Sequence, residues 1–433
     1  MNERFEKFNG PRTEQLIQQG ADVKGPRDML ESQEAFAQSV ESVVEEIFPG
    51  VRFEQKTQFL SEESAFTNRY RAVFSSKNVE FTIDTKKTAT HIQRQLLNNE
   101  SVVAAINGGY FFFVDNTSAE VPGEATYGTV VRDGVLRGVQ SHDRPVLWVD
   151  LEGDINATEV SAKGRVTIGE LNLSWVGHHS FQKDADIQLF GADSCVIEHV
   201  QDPETGNKRV MNLEMSKTPE ENTIVDVVCE VRDGRLRVVD IHEGGGSLVT
   251  EGSVILQGQQ ALLQSVAVGD VIAIAYDDID LAGVNNAITI GPSVAHFDTE
   301  TEHPINSDRS LGDHPPLADS RAARSIVYKT LNGDVVFEVF DGAPKTDTFK
   351  GVTPKEVGEL LRSDGVEVEW AYFLDSGQSS RLAVRHADGS VEGFGNRHYI
   401  RWPKVPEHPY VWAGEHGREA FSTISAKIKS NNE

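Results

Sequence analysis

An α+β fold of strand-rich mixed sheets with a few packed helices is predicted by three features of this 433-residue chain. From about residue 68 onward, short apolar or alternating runs are separated by Gly, Asn and Asp turn signals, which is the pattern of successive β-strands. Residues 36–48 carry a helical period instead: Phe36, Val40, Val43, Val44, Ile47 and Phe48 recur on one face, and Pro49-Gly50 stops the run. A second helix is announced by Gly351-Val352-Thr353-Pro354-Lys355-Glu356, with Thr353 suited to the N-cap, Pro354 to the first helical position and Glu356 to a capping box.

Taken in order, residues 1–31 are polar, with Gly10-Pro11 and Gly25-Pro26 as breakers, and read as an irregular arm ahead of the 36–48 helix. Residues 1–67 are therefore set apart from a strand-rich body at 68–415 and a polar tail at 416–433. In the body, Val79-Glu80-Phe81-Thr82-Ile83 alternates as a strand, a helical stretch lies near 88–97, and Val102 to Ile106 form a buried strand ending at Asn107-Gly108-Gly109-Tyr110-Phe111. Arg132-Asp133-Gly134 and Arg232-Asp233-Gly234 are turn signals between strands. Gly244-Gly245-Gly246 lacks the Lys-Ser/Thr of a phosphate loop, so a flexible turn is expected there. A polar segment with Pro304, Pro315 and Pro316 spans 301–320 and reads as a long loop, either a lid or a solvated connector. Asn332-Gly333 then marks a hairpin between Arg324–Tyr328 and Val335–Phe340. Glu338 alternates away from the apolar face of its strand and is expected in solvent. Asp364-Gly365 ends the Thr353 helix, and a strand through Ala371-Tyr372-Phe373-Leu374 leads to Asp375-Ser376-Gly377-Gln378-Ser379-Ser380.

Composition narrows the function classes. With 38% apolar and 25% charged residues the chain has the makings of an ample globular core. Its 41 basic and 67 acidic residues give a formal charge of -26, which opposes a broad nucleic-acid surface or an anionic membrane as partner. Cys195 and Cys229 stand alone in apolar runs, so buried inert thiols are expected and a disulfide framework is not. The N-terminus has no apolar leader and no run is long enough to span a bilayer, which gives a cytoplasmic expectation. Neither His178-His179 nor the His303, Asp308, Asp313 and His314 group has a recognised ligand spacing, so no metal or other cofactor is assigned, although a divalent cation beside a phosphate is compatible with the many aspartates.

The strongest local signal is the carboxylate of Asp375 at the mouth of a buried strand, followed by hydroxyls and a glycine that let a ligand approach. With Asn107-Gly108-Gly109-Tyr110-Phe111, Arg324-Ser325-Ile326-Val327-Tyr328 followed by Asp341-Gly342, and the Gly351-Val352-Thr353-Pro354 helix start, it forms an ordered series of four landmarks. This series resembles the phosphodiester glycosidase family over roughly residues 68–415. Departures from the family pattern are Ser376 and Gln378 in place of glycines, Tyr328 in place of a glycine and Tyr110 in place of a phenylalanine. The resemblance implies a strand-rich glycosidase scaffold and a hydrolase that separates a sugar anomeric carbon from phosphate, acting on a small-molecule or oligosaccharide phosphodiester.

On that basis Asp375, Asp341 and Asn107 are the catalytic candidates. Asp375 is suited to activate water or stabilise positive charge on the sugar, Asp341 is a second carboxylate, and the Asn107 amide matches a sugar hydroxyl or acetamido group. Gly108, Gly109, Tyr110, Arg324, Thr353, Ser376, Gly377, Ser379 and Ser380 are the substrate-binding candidates, with Arg324 as a bidentate phosphate clamp and the Thr353 helix start as a second anion contact. Two other readings compete: a non-catalytic carbohydrate or glycophosphate-binding protein on the same scaffold, and a serine hydrolase using Ser379, which lacks the second glycine of a nucleophile elbow.

Overall fold

The computed structural model describes residues 42–60, 65–114, 123–126, 128–140, 143–177, 185–191, 195–198, 209–212, 223–250, 252–295, 321–342, 350–395, 398–400, 410–412 and 419–429. The expected arm at 1–31, the loop at 301–320 and the histidine groups at 178–179 and 303–314 lie outside these residues.

Strands are numbered along the chain. A six-stranded antiparallel sheet has the order β1 (Val43–Phe48), β2 (Val51–Leu60), β3 (Ala65–Ser75), β23 (Asp334–Asp341), β22 (Arg324–Thr330) and β24 (Val368–Phe373). A five-stranded sheet has the order β26 (Val391–Gly395), β25 (Arg381–Arg385), β5 (Val102–Asn107), β29 (Ala420–Ile428) and β4 (Val79–Thr90). A second five-stranded sheet is ordered β11 (Ile155–Val160), β10 (Arg144–Asp150), β21 (Val284–Thr289), β8 (Val130–Arg132) and β9 (Val135–Gly138). A closed barrel runs β12 (Lys163–Ile168), β13 (Leu171–Gly177), β14 (Ile187–Gly191), β19 (Ser253–Gln259), β17 (Ile224–Arg232), β18 (Arg235–Glu243) and β20 (Val271–Tyr276). Three ribbons complete the strands: β6 (Phe111–Val114) with β7 (Gly123–Thr126), β15 (Cys195–Glu198) with β16 (Arg209–Asn212), and β27 (His398–Ile400) with β28 (Tyr410–Trp412). The helices that matter are α1 (Gln93–Asn98) and α2 (Pro354–Ser363).

The α+β expectation is thus corrected to a strand-dominated fold of packed sheets and a barrel. Strand periodicity in the middle third produces a seven-stranded barrel rather than sheets interleaved with helices. The expected 36–48 helix is corrected over its second half, because Val43–Phe48 is strand β1, paired antiparallel with β2, while residues 36–41 lie outside the described residues. Its Pro49-Gly50 signal is the turn of that hairpin, with Gly50 at φ +77°, rather than a helix stop. Four apolar residues at helical spacing are ambiguous, and pairing with the strand edge of β2 outweighs the local period.

Other local expectations hold. Asp133-Gly134 and Asp233-Gly234 have φ of 51° and 71°, and 52° and 71°, the two positive values that a type I′ hairpin turn requires. Gly333 sits at φ +87° between β22 and β23, and α2 begins with the complete Thr353–Glu356 capping box. The triple-glycine segment turns with all three φ positive. The N–H of Ser247 just beyond it is taken by the buried Asp226 carboxylate at 3.0 Å. Cys229 is buried, and burial pushes its thiol up.

Alternation explains the layering. On β23, Val335, Phe337 and Val339 face the central core, while Val336 and Phe340 pack with Val357, Leu360 and Leu361 of α2. The central core joins this sheet to Phe81, Ile83, Ile106, Leu382 and Ile424 of the β4–β5–β25–β29 sheet and to Leu147, Val149 and Ile288 of the β10–β21 sheet. Phe74 crosses the layers, edge-on to Phe81 at 5.7 Å and to Phe337 at 4.8 Å. The opposite face of the β10–β21 sheet, through Val146, Val284 and Ala287, shares a second core with the barrel around Trp175, Leu189, Val227 and Leu256. Burying an aromatic or aliphatic side chain of this kind contributes about 1.5–3 kcal/mol, so these two cores dominate stability.

The expectation of a solvated Glu338 is corrected. It is fully buried on the α2 face, with Arg69 Nε at 2.8 Å and Arg71 Nε at 3.1 Å, and the Tyr328 hydroxyl donates to it at 3.2 Å. Both arginines continue to Asp364 at the end of α2, at 2.8 and 2.7 Å. Alternation correctly placed Glu338 off the central core; α2 covers that other face.

At the far edge, His386 joins the two main sheets through Glu45 of β1 at 3.0 Å and Glu392 of β26 at 3.5 Å. The Glu392 contact, opposed by burial and aided by Glu45, raises the imidazole above its ordinary 6.5. A raised pKa contributes stability that is fully present below about pH 6.5 and disappears as pH rises through the folded value. Denaturant melts at pH 5.5 and 8.5 are expected to show His386→Gln destabilising the protein at the lower pH and having a much smaller effect at the higher one. Among the described residues no helix is long and apolar enough to cross a membrane.

Candidate active site

Strand ends bring the candidates together. The β5 run of Val102–Ile106 is wholly buried, so it delivers Asn107 to the interior rather than to solvent. Asn107 Nδ2 donates to the Asp375 carbonyl at 2.7 Å, and its Oδ1 accepts from Ser325 Oγ at 2.7 Å and from the Arg381 N–H at 3.1 Å. The Asp375 N–H in turn donates to the Gly108 carbonyl at 3.0 Å. Asn107 therefore clamps β5, β22, β25 and the Asp375 loop to one another, and its amide is engaged by protein on both sides.

The loop is held from β22 too, by Leu374 N–H to Ser325 O at 2.9 Å and Gly377 N–H to Ala323 O at 2.7 Å. Asp375 Oδ1 accepts the Ser376 N–H at 2.9 Å, and Ser376 Oγ donates to Leu374 O at 3.1 Å. Gly377 has φ +68° with open space where a Cβ would stand, so backbone conformation is what demands glycine there. Ser379 and Ser380 are 1% and 0% exposed, and neither hydroxyl has a hydrogen-bond partner among the described residues. Buried hydroxyls are normally satisfied, so the partners of these two lie beyond the described residues.

Gly108 and Gly109 are explained by the fold rather than by the ligand. A Cβ at Gly109 would run into the Thr289 carbonyl oxygen at the end of β21, and one at Gly108 into Ser422 Oγ on β29. Since a carbonyl in a paired strand cannot give way, Gly109→Ala is expected to cost at least about 2 kcal/mol in an equilibrium urea melt.

The same close approach carries Tyr110 to Gly291, where a Cβ would lie 3.0 Å from the phenol oxygen. Tyr110 keeps some surface, but its hydroxyl end lies inside. Burial and then the Asp375 charge raise its pKa, against the lowering influence of Arg324 and Arg144. Arg324 opens β22 and Arg144 opens β10; each is only 4% exposed. Burial lowers the Arg324 pKa, and the nearby Tyr110 phenol opposes that shift. The ends of three sheets meet here: Ile290 N–H donates to Pro145 O at 2.9 Å and Gly291 N–H to Phe373 O at 2.8 Å, which brings the strand ends bearing Arg144, Arg324 and Asp375 to the neighbourhood of the Tyr110 phenol. Arg144 was not among the sequence candidates; an Arg-Pro at a strand start carries no signal of which distant strands will end beside it.

Two candidates stand elsewhere. Thr353 is occupied in its capping box, with its N–H on Glu356 Oε2 at 2.8 Å, and Arg321 holds the other Glu356 oxygen at 2.6 Å. Asp341 ends β23, where its Oδ1 accepts the Gly342 N–H and its carbonyl accepts from Thr67 Oγ1, both at 2.8 Å. It lies at the Asp375 end of the six-stranded sheet with β22 between the two positions, hence about 10 Å apart along the backbone by strand spacing. Among the described residues no group of three His, Cys, Asp or Glu is placed to hold a metal ion.

Comparison with known proteins gives a family match over part of the chain. Residues 226–410 match the phosphodiester glycosidases, a segment that contains Arg324, Asp341, Thr353 and the whole Asp375 loop. No curated protein matches the chain. Among solved structures, a hypothetical protein from Synechocystis superposes with a TM-score of 0.55 at 14% identity, over 91% of this chain and 65% of that one. A putative exported protein from Burkholderia pseudomallei K96243 gives 0.50 at 15% identity, over 84% and 74% of the two chains. At such identities the likeness is one of fold.

Proposed function

From the match of residues 226–410 to the phosphodiester glycosidases, we propose that this chain hydrolyses the bond between a sugar anomeric carbon and the phosphate oxygen of a sugar-1-phosphodiester. The observation that carries this reading is the meeting of strand ends about Tyr110: its phenol oxygen lies against Gly291, whose N–H is on Phe373 O two residues before Asp375, while Ile290 N–H is on Pro145 O beside Arg144 and Arg324 starts the strand paired with Phe373. Cleavage proceeds through an oxocarbenium-like state in which positive charge grows on the sugar and negative charge on the departing phosphate. A carboxylate and two buried guanidiniums near one another supply the two charges that answer these.

In this scheme Asp375 takes the proton of the attacking water or stabilises the sugar cation, and Arg324 and Arg144 hold the phosphate. Ser379 and Ser380 offer the hydroxyls for the remaining polar contacts. Asn107 acts through Asp375, whose carbonyl it grips, and is a positioning residue. The products are a free sugar and a phosphomonoester, the water oxygen ending on the anomeric carbon. The test is a panel of sugar-1-phosphodiesters with varied sugars and alcohols, followed by simultaneous assay of reducing sugar and phosphomonoester. Equal release of both from at least one member is expected; no release from any would remove the hydrolase reading.

A further inference from the structure

We propose that the Tyr110 hydroxyl is a specificity-determining donor, giving a hydrogen bond to the phosphate held by Arg324 and Arg144 and so favouring phosphate leaving groups over neutral ones. This rests on the hydrolase reading above and adds a residue that reads the leaving group. The position of the phenol is imposed by the fold. Gly108 and Gly109 are packed against β29 and β21 with no room for a side chain, so the backbone entering Tyr110 is not adjustable. At the other end of the ring, Gly291 donates its N–H to Phe373 O at 2.8 Å and leaves the gap that the phenol oxygen fills. Phe373 is two residues before Asp375, and the Asp375 N–H is bonded to the Gly108 carbonyl, so the ring is fixed to the loop that bears the carboxylate.

Guanidiniums only donate, and a phenol whose oxygen accepts from one of them still has its own O–H to give, so an anionic oxygen set among Arg324, Arg144 and Tyr110 accepts from all three. A non-bridging phosphate oxygen is such an acceptor; the ether oxygen of a neutral glycoside carries no charge for them to hold. The proton needed for donation is secure, because burial and the Asp375 charge both oppose phenolate formation. A hydrogen bond to a charged acceptor corresponds to about a 10- to 100-fold effect.

The test compares wild type with Tyr110→Phe on two substrates of one sugar, a phosphodiester and a neutral aryl glycoside. The ratio of kcat/KM for the first over the second is expected to fall about 10- to 100-fold, the loss falling more heavily on the phosphodiester. An unchanged ratio, or equal losses on both substrates, overturns the proposal while leaving the hydrolase reading intact. Dimethyl phosphate titrations of both proteins separate the two claims further. If wild type turns over neither substrate, the hydrolase reading fails, yet weaker dimethyl phosphate binding by Tyr110→Phe still supports the donor. Equal binding by the two proteins, or none by either, overturns it. In wild-type protein labelled with carbon-13 at tyrosine Cζ, dimethyl phosphate is expected to shift the Tyr110 resonance, and an unmoved resonance likewise overturns the proposal, independently of whether the Phe variant folds.

Discussion

Asp375→Asn is expected to reduce kcat/KM on a sugar-1-phosphodiester by about 10³-fold, within the range for loss of a positioned base. The substitution isolates charge from structure. An asparagine oxygen can still accept the Ser376 N–H that Asp375 Oδ1 holds at 2.9 Å, and the backbone anchors to Gly108 and Asn107 do not involve the carboxylate. The melting curve should therefore stay close to wild type while turnover collapses. Retained turnover would exclude Asp375 as the reacting carboxylate. A collapse in dimethyl phosphate binding alongside activity would point to a fold defect, because removing a negative charge beside two arginines should, if anything, favour the anion.

The second large effect concerns stability. Glu338→Ala is expected to destabilise the protein by about 3–5 kcal/mol, since it leaves two largely buried guanidiniums, Arg69 and Arg71, to share the carboxylate of Asp364. Arg69 is only 3% exposed and lies over the Phe340 ring at 5.1 Å, so its guanidinium has little solvent to turn to. Burial alone would push the Glu338 carboxyl up, but Arg69 and then Arg71 together hold it below its ordinary 4.5. A lowered carboxyl pKa contributes stability that is present above about pH 4.5 and is lost as pH falls through the folded value. Urea midpoints measured from pH 7 down to pH 3 should converge for wild type and Glu338→Ala at the acid end; parallel curves would show that the network contributes no differential stability.

This network and the candidate site share a sheet, and their relation is mechanical. Arg324 faces Phe340 across β22 and β23, and Phe340 in turn faces Arg69 on β3. One row of the six-stranded sheet thus runs from the proposed phosphate contact to the buried ion network. The ion network fixes the sheet on its α2 face, and Asn107 fixes it on the opposite face through Ser325. Rigid support on both faces is what a site built from strand ends needs to hold charges in place before substrate arrives.

Much of the local structure was legible in the sequence because it depends on neighbours in the chain. The Asp-Gly and Asn-Gly turns, the Thr353–Glu356 cap, the buried strand to Asn107 and the strand before Asp375 all follow from backbone preference and short-range hydrogen bonds. Four ordered landmarks resemble the phosphodiester glycosidases, and the match at residues 226–410 takes in the three from Arg324 onward. What local pattern could not supply was the partner of each element. Val43–Phe48 satisfies a helical period, and only the presence of β2 makes it a strand. Strand runs in the middle third do not reveal closure, because a barrel depends on which edges meet, as β12 meets β20. Glu338 is an outward-facing residue by alternation, and only α2, Arg69 and Arg71 turn that outward face into an interior. In the proposed site, Asp375, Arg324, Tyr110 and the two serines are sequence candidates; tertiary structure adds Arg144 beside them and shows Asn107, Gly108 and Gly109 engaged by the fold. The physical reason is range: turns and caps are decided within a few residues, whereas burial, charge pairing and convergence are decided by segments that meet only when the sheets pack.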